Sequence, residues 1–295
     1  MIHLNSEKTS KLIFIILYIS MYISLVLGED TLGAAKSDYL NHKLNASYFI
    51  DNIIQSLLIY NTYDAAHSPI FLILQSLFLK YFENDIFFKL FNLNFNILIV
   101  LIFYNILKIL FKETKKSYLL IFSSVIFISP TFRSSSVWPD SYLSGLLFFL
   151  ISVYFFVKFK KINKNKFKNA ILNTFFLAIS SYISPNFSLF VILFYFEFFK
   201  YFKISKQILY LTFLNICLSI TAIYYILVLE INFFTTRGRY NDDLKILSIR
   251  NLSNKIIIFP TIIFFHFIFL KFTSFKSYNF KNKSKKIINL IMVAL

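Results

Sequence analysis

"PIFLILQSLFLKYF", residues 69–82, decides how the whole chain is read. Counted as a membrane crossing, it inverts every loop that follows. A helix that spans the hydrocarbon core needs about 20 mainly apolar residues, and about 17 at the least. This stretch is shorter and carries Gln75 and Lys80. The loops arbitrate, because lysine and arginine concentrate on the cytoplasmic side. With residues 69–82 confined to the interface or to a shallow dip, spans are predicted near 12–28, 90–108, 117–133, 142–159, 169–184, 187–202, 207–229 and 255–272. The loops near 108–116, 158–168, 200–206 and 271–286 then share the side of the N-terminus. Those inner segments hold 21 lysines against Glu7, Glu113 and Glu197, and the outer ones hold six lysines and four arginines against eleven acids. The formal charge of +17 therefore reads as an orientation signal, and no nucleic-acid partner is expected.

The composition agrees. Of 295 residues, 57% are hydrophobic and 20% aromatic, with only four glycines and five prolines. Apolar runs recur along the entire length, more than one soluble core could bury. The expected fold class is all-α: a polytopic transmembrane helical bundle with interfacial helices in the first outer loop, forming one membrane-embedded domain over residues 1–295. The first outer loop covers 28–89 and a second large one 230–254. The run Leu12–Leu27 follows Lys8 and Lys11, which suits a signal peptide or a first span; with so many later spans, an uncleaved helix is the expectation. The nine mainly apolar residues from Ile287 to Leu295 are too few to cross, so the chain is expected to end inside a helix of a longer protein. Cys217, the single cysteine, lies in an apolar run and is expected to be a small core residue.

Within the first outer loop, Ile50, Ile53, Ile54, Leu57 and Leu58 recur at helical spacing, with Asn52, Gln55 and Ser56 elsewhere. Residues 46–60 therefore read as an amphipathic helix lying along the outer surface.

Chemistry-bearing residues gather in the outer segments. All four arginines, Arg133, Arg237, Arg239 and Arg250, fall there. Lysine suffices for orientation, whereas arginine offers a rigid fork suited to phosphate oxygens; ordinary pairing with Asp140, Asp242 or Asp243 is the alternative. Asp38 and His42, four apart, share a face if 37–45 is helical, with Ser37 as its N-cap. Such a carboxylate could take a proton from an acceptor hydroxyl, or simply belong to a solvated helix start. Glu29 and Asp30 are further candidates. His67 precedes Ser68-Pro69 and would sit at a helix mouth, proline being favoured in the first turn. "SPTFRSSSVWPDSYL", 129–143, places Arg133 and Asp140 on an outer turn, with Trp138 suited to an interface and Asp140 or Ser141 able to cap the next helix.

The order of these features resembles the GT-C glycosyltransferases, in particular the polyprenyl-phosphate-sugar-dependent enzymes related to protein mannosyltransferases and aminoarabinose transferases. The resemblance covers roughly residues 12–160. It rests on a first helix, an Asp soon after it, His67-Ser68-Pro69 where the family has a His-Pro-Pro-like or Lys-Pro-Pro-like motif, and Ser129-Pro130-x-x-Arg133. It implies transfer of a sugar from a polyprenyl-phosphate donor to a lipid, glycan or protein acceptor on the non-cytoplasmic face, at the periplasmic side of a bacterial inner membrane. Asp38 would be the base, with Asp30 as fallback. His42, His67, Arg133, Asp140, Arg237 and Arg239 would contact substrate. No cofactor and no obligatory metal are expected, although His42 and His67 with nearby acids could bind a divalent cation. The competing readings are a flippase or transporter of lipid-linked saccharides and a non-catalytic membrane subunit. The predicted spans hold few ionisable groups, Glu197 and His266, which speaks against ion-coupled transport.

Overall fold

The structure, a computed structural model, describes residues 6–30, 34–60, 63, 68–82 and 84–227. Among the described residues all regular structure is helical. In chain order the helices are α1 (Ser6–Leu27), α2 (Ala35–Ser47), α3 (Ile53–Leu58), α4 (Pro69–Tyr81), α5 (Ile86–Leu110), α6 (Lys116–Ser124), α7 (Pro130–Val137), α8 (Ser141–Lys161), α9 (Lys166–Ile183), α10 (Phe190–Phe202) and α11 (Lys206–Leu227). Short 3₁₀ turns at Val125–Ile128 and Pro185–Leu189 connect them.

Among the described residues four helices are long and apolar enough to cross a membrane: α1 from Glu7, α5, α8 and α11. A fifth results if the segment Lys116–Ile128 is joined to α7, but the two are bent by 67°. The expected continuous span 117–133 is thus broken, and the cause is local. Ser129 is extended (φ −61°, ψ 123°), the conformation that a following proline imposes, and Pro130 starts the new helix with Ser129 as its cap. Two other predicted spans also come out shorter or more polar. Residues 187–202 divide at the Pro185–Leu189 turn, leaving α10 with thirteen residues. The eighteen residues of α9 include Lys166, Lys168, Asn169 and Asn173. The predicted span 255–272, the second outer loop 230–254 and the run Ile287–Leu295 lie outside the described residues.

The helices alternate in direction, so their ends collect in two groups. At one end Glu7 of α1 is ion-paired with Lys11 and feels Lys116 at the start of α6. Phe167 of α9 meets Phe202 of α10 and Tyr210 of α11 there, and Lys160 of α8 meets Glu197 of α10. This is the lysine end. At the other, the Arg133 end, the close of α1 and the starts of α5 and α8 come together.

Helix α4 has both termini at the Arg133 end. The hydroxyl of Ser68, at its start, donates to the Tyr182 carbonyl near the close of α9. Phe78 and Phe82, at its finish, pack on Phe87, Phe88 and Phe91 in the first turns of α5. Thirteen residues make about 20 Å of helix, and those 20 Å run across the bundle end rather than towards the lysines. Proline opens this helix, as its position after Ser68 predicts.

Residues 46–60 do not form one helix. The chain turns at Tyr48–Asp51, and Asn52 accepts a hydrogen bond from the Gln55 N–H at 3.0 Å to start the short α3. That side chain satisfies an otherwise orphaned donor, the usual reason for a helix to begin at Asn. Beneath these segments lies a core of Tyr39, Phe49, Tyr60, Phe71, Leu72, Phe88, Trp138 and Ile183. Cys217 is exposed on α11, not in the core, because its face of that helix meets no neighbour among the described residues.

Candidate functional site

The Arg133 end is where charged side chains from different helices meet, and its assembly begins at the end of α1. Gly28 has φ 62°, a left-handed conformation that glycine adopts without a Cβ penalty. It turns the chain so that the Glu29 N–H reaches the Ser24 carbonyl at 2.9 Å. The Glu29 carboxylate then faces Arg133 on α7. Arg133 Nε donates to both Glu29 oxygens at 3.0 Å, and Nη2 donates to Oε2 at 2.8 Å. Nη1 donates to Ser20 Oγ at 3.0 Å and the Phe127 carbonyl at 3.3 Å, and Nη2 also reaches Ser24 Oγ. All five guanidinium N–H groups therefore have protein acceptors. The Arg133 hydrogen bond, more than offsetting partial burial, holds the Glu29 carboxyl below its ordinary range. Arg133 thus clamps α1 to the half-helix α7.

Trp138, expected at an interface, is buried and donates from Nε1 to the Glu29 carbonyl at 3.1 Å. Its ring faces a second group of charges. Lys89 Nζ lies 4.2 Å from the Trp138 ring centre and 5.2 Å from that of Tyr39. Asp85 takes Lys89 at 3.3 Å, Lys43 at 3.7 Å and the Tyr39 hydroxyl at 3.2 Å. Burial by itself would raise the Asp85 carboxyl, but Lys89 and Lys43 outweigh it and hold it below its usual range. Burial and the neighbouring Asp85 carboxylate push the Tyr39 hydroxyl far up, so Tyr39 remains a donor.

The residues singled out in the sequence fare differently. Asp38 lies in the first turn of α2 and is exposed. His42, one turn on, is buried and packs edge-to-face on Phe71 at 5.7 Å, so the expected Asp38–His42 partnership at the surface is not formed. Helical spacing aligns two residues but does not keep both at the surface; here the core takes the second. Ser37 does not cap α2. The helix begins two residues earlier, and Asp30 accepts from the Ala35 and Lys36 N–H groups at 3.2 Å each, which occupies the fallback base. Asp140 accepts from the Tyr142 and Leu143 N–H groups and so caps α8, as its position before Ser141 predicts. His67, Arg237 and Arg239 lie outside the described residues. Among the described residues no group of three or more His, Cys, Asp and Glu side chains converges as metal ligands would.

Several residues in this region carry no weight in the sequence reading. Asn92 on α5 donates to the Ser135 and Ser136 carbonyls at 3.1 and 2.9 Å, and Asn96 donates to Ser136 Oγ at 3.3 Å. Asn92 thereby satisfies two of the last carbonyls of α7, which no further helical turn can reach. Asn94, on another face, accepts from Tyr18 at 2.8 Å and Tyr22 at 2.7 Å of α1. The i, i+4 spacing of Asn92 and Asn96 inside an apolar run was the available signal. Compared with protein-family models, curated protein sequences and solved structures, the chain matches none.

Proposed function

We propose that the protein is an integral-membrane glycosyltransferase that moves a sugar from a polyprenyl-phosphate donor to an acceptor hydroxyl on the non-cytoplasmic face. In this reading it sits in a bacterial inner membrane with the Arg133 end towards the periplasm. The observation that supports it is the gathering of carboxylates, half-buried cations and the non-traversing helix α4 at the end opposite the lysine-rich loops. A lipid-borne donor and an aqueous acceptor can meet only where polar side chains border the bilayer. Of the described carboxylates there, Glu29 holds Arg133, Asp30 and Asp140 cap helices and Asp85 holds Lys89, whereas Asp38 and Asp51 carry no such duty; of these two, Asp38 is the one soon after the first helix, where the resemblance places the base.

The chemistry is one inverting displacement. Asp38 accepts the acceptor proton as the acceptor oxygen bonds to the anomeric carbon. The bond from that carbon to the phosphate oxygen breaks, and the polyprenyl phosphate leaves with the electron pair. Donors aimed at the departing phosphate lower the barrier; His67, Arg237 and Arg239 are assigned that role from the sequence alone. Arg133 and His42 contribute by holding α7 and α2 in place.

The test is transfer in vitro from a panel of radiolabelled polyprenyl-phosphate sugars to membrane acceptors, using the full-length protein. Asp38→Asn is expected to abolish transfer while the melting temperature stays unchanged, as suits an exposed side chain. Full transfer by Asp38→Asn would remove it as the base. Translocation of a labelled lipid without a new glycosidic bond would replace this reading with a flippase.

A further inference from the structure

Three lysines gather at the Arg133 end as two overlapping pairs, one about Asp85 and one about Trp138. Lys43 and Lys89 share Asp85. Lys36, exposed, lies 5.6 Å from the Trp138 ring centre, the ring that Lys89 also faces, and has no carboxylate within ion-pair distance among the described residues. The neighbouring acids are engaged elsewhere: Glu29 by Arg133, Asp30 by the α2 backbone. Asp38 is exposed two residues beyond Lys36. Like charges brought together around one aromatic ring repel unless an anion shares them.

The same surface is apolar at its edge. Leu40 and Leu44 stand exposed on the α2 stripe that carries Lys36 and Lys43, and Ile86 and Phe87 stand exposed at the start of α5, next to Asp85 and Lys89. A free inorganic ion would have no use for such a border, whereas a phospholipid has both a phosphate and acyl chains. Lysines are also disfavoured on the outer side of a membrane protein, so three kept together there call for a counter-charge.

We propose that Lys36, Lys43 and Lys89, ranged about Trp138 and Tyr39, seat the phosphate of an anionic phospholipid in the leaflet at the Arg133 end, with its chains along Leu40, Leu44 and Phe87. The bound lipid neutralises the cluster and ties α2 to the first turn of α5. This assignment does not rest on the transferase reading.

The experiment uses the full-length protein in a neutral detergent. Phosphatidylglycerol, phosphatidylcholine and inorganic phosphate are titrated separately, with binding read by native mass spectrometry and by melting temperature. Phosphatidylglycerol is expected to bind more tightly than phosphatidylcholine and to raise the melting temperature. Lys36→Gln and Lys43→Gln are each expected to weaken phosphatidylglycerol about fivefold, with Lys36→Gln melting as wild type in phosphatidylcholine. Lys116→Gln, at the lysine end, leaves the affinity unchanged. Equal binding of the two lipids, wild-type affinity in both cluster variants, or an equal loss in Lys116→Gln overturns the proposal. Stabilisation by inorganic phosphate but not by phosphatidylglycerol overturns the lipid assignment in favour of a free anion.

Discussion

The α1–α7 junction and the α8–α10 seam are held by opposite means. In the first, one guanidinium ties Glu29, Ser20, Ser24 and the Phe127 carbonyl, and Asn92 secures the tail of the half-helix. In the second, rings do the packing: Phe149 on Phe190 at 4.5 Å, Phe156 on Phe194 at 4.6 Å and Phe159 on Phe198 at 4.9 Å. Where a chain is apolar nearly everywhere, apolarity cannot choose which helix meets which, because lipid satisfies a phenylalanine as well as another helix does. Polar groups choose, since each must find its partner. Rings and small residues then fill the space between helices already placed.

The largest break in this contrast comes from Arg133→Ala. It strands a partly buried carboxylate, and should cost about 3 kcal/mol. Thermal unfolding of the purified protein measures it, and Arg133→Lys should rescue little because an ammonium cannot reproduce the fork. If Arg133→Ala melts as wild type, the junction is not held by charge.

The seam is tested next by Gly145→Ala. A Cβ there would stand 2.7 Å from Ser184 Cβ and 3.1 Å from the Phe187 ring. Both neighbours belong to a packed turn, so an overpacking loss of about 2 kcal/mol is expected in the same assay. Phe156→Leu keeps most of the volume but removes the ring contacts, and should cost about 1 kcal/mol.

The smallest effect is one of pH. Glu29 is held below its ordinary range by Arg133, so the folded state favours the ionised carboxylate. That contribution is complete above the unfolded value, about pH 4, and fades as pH falls through the lower folded value. The melting temperature of wild type should therefore drop more steeply below about pH 4 than that of Glu29→Gln. Parallel curves would show that the ion pair adds nothing to stability.

Much of the class was legible without coordinates. Long apolar runs at α1, α5, α8 and α11, the lysines between them, the proline opening α4 and the aspartate opening α8 each act locally, through hydropathy, backbone geometry or a missing donor. Expectations failed where a second constraint overrode the first. Residues 117–133 are apolar enough to cross, yet the extended Ser129 before Pro130 breaks them. Asp38 and His42 share helical spacing, yet Phe71 draws only the second inwards.

Composition and charge order by themselves determined that this is a helical chain with lysines segregated to alternate loops, because water, lipid and the positive-inside tendency act on each segment separately. Only the tertiary structure decided that α4 lies across one bundle end, that Arg133 clamps Glu29, that Lys43 and Lys89 share Asp85, and that Lys36 and Lys89 share Trp138. Those contacts join residues up to about a hundred positions apart, and which distant polar groups satisfy one another is fixed when the helices pack, not while any one of them forms.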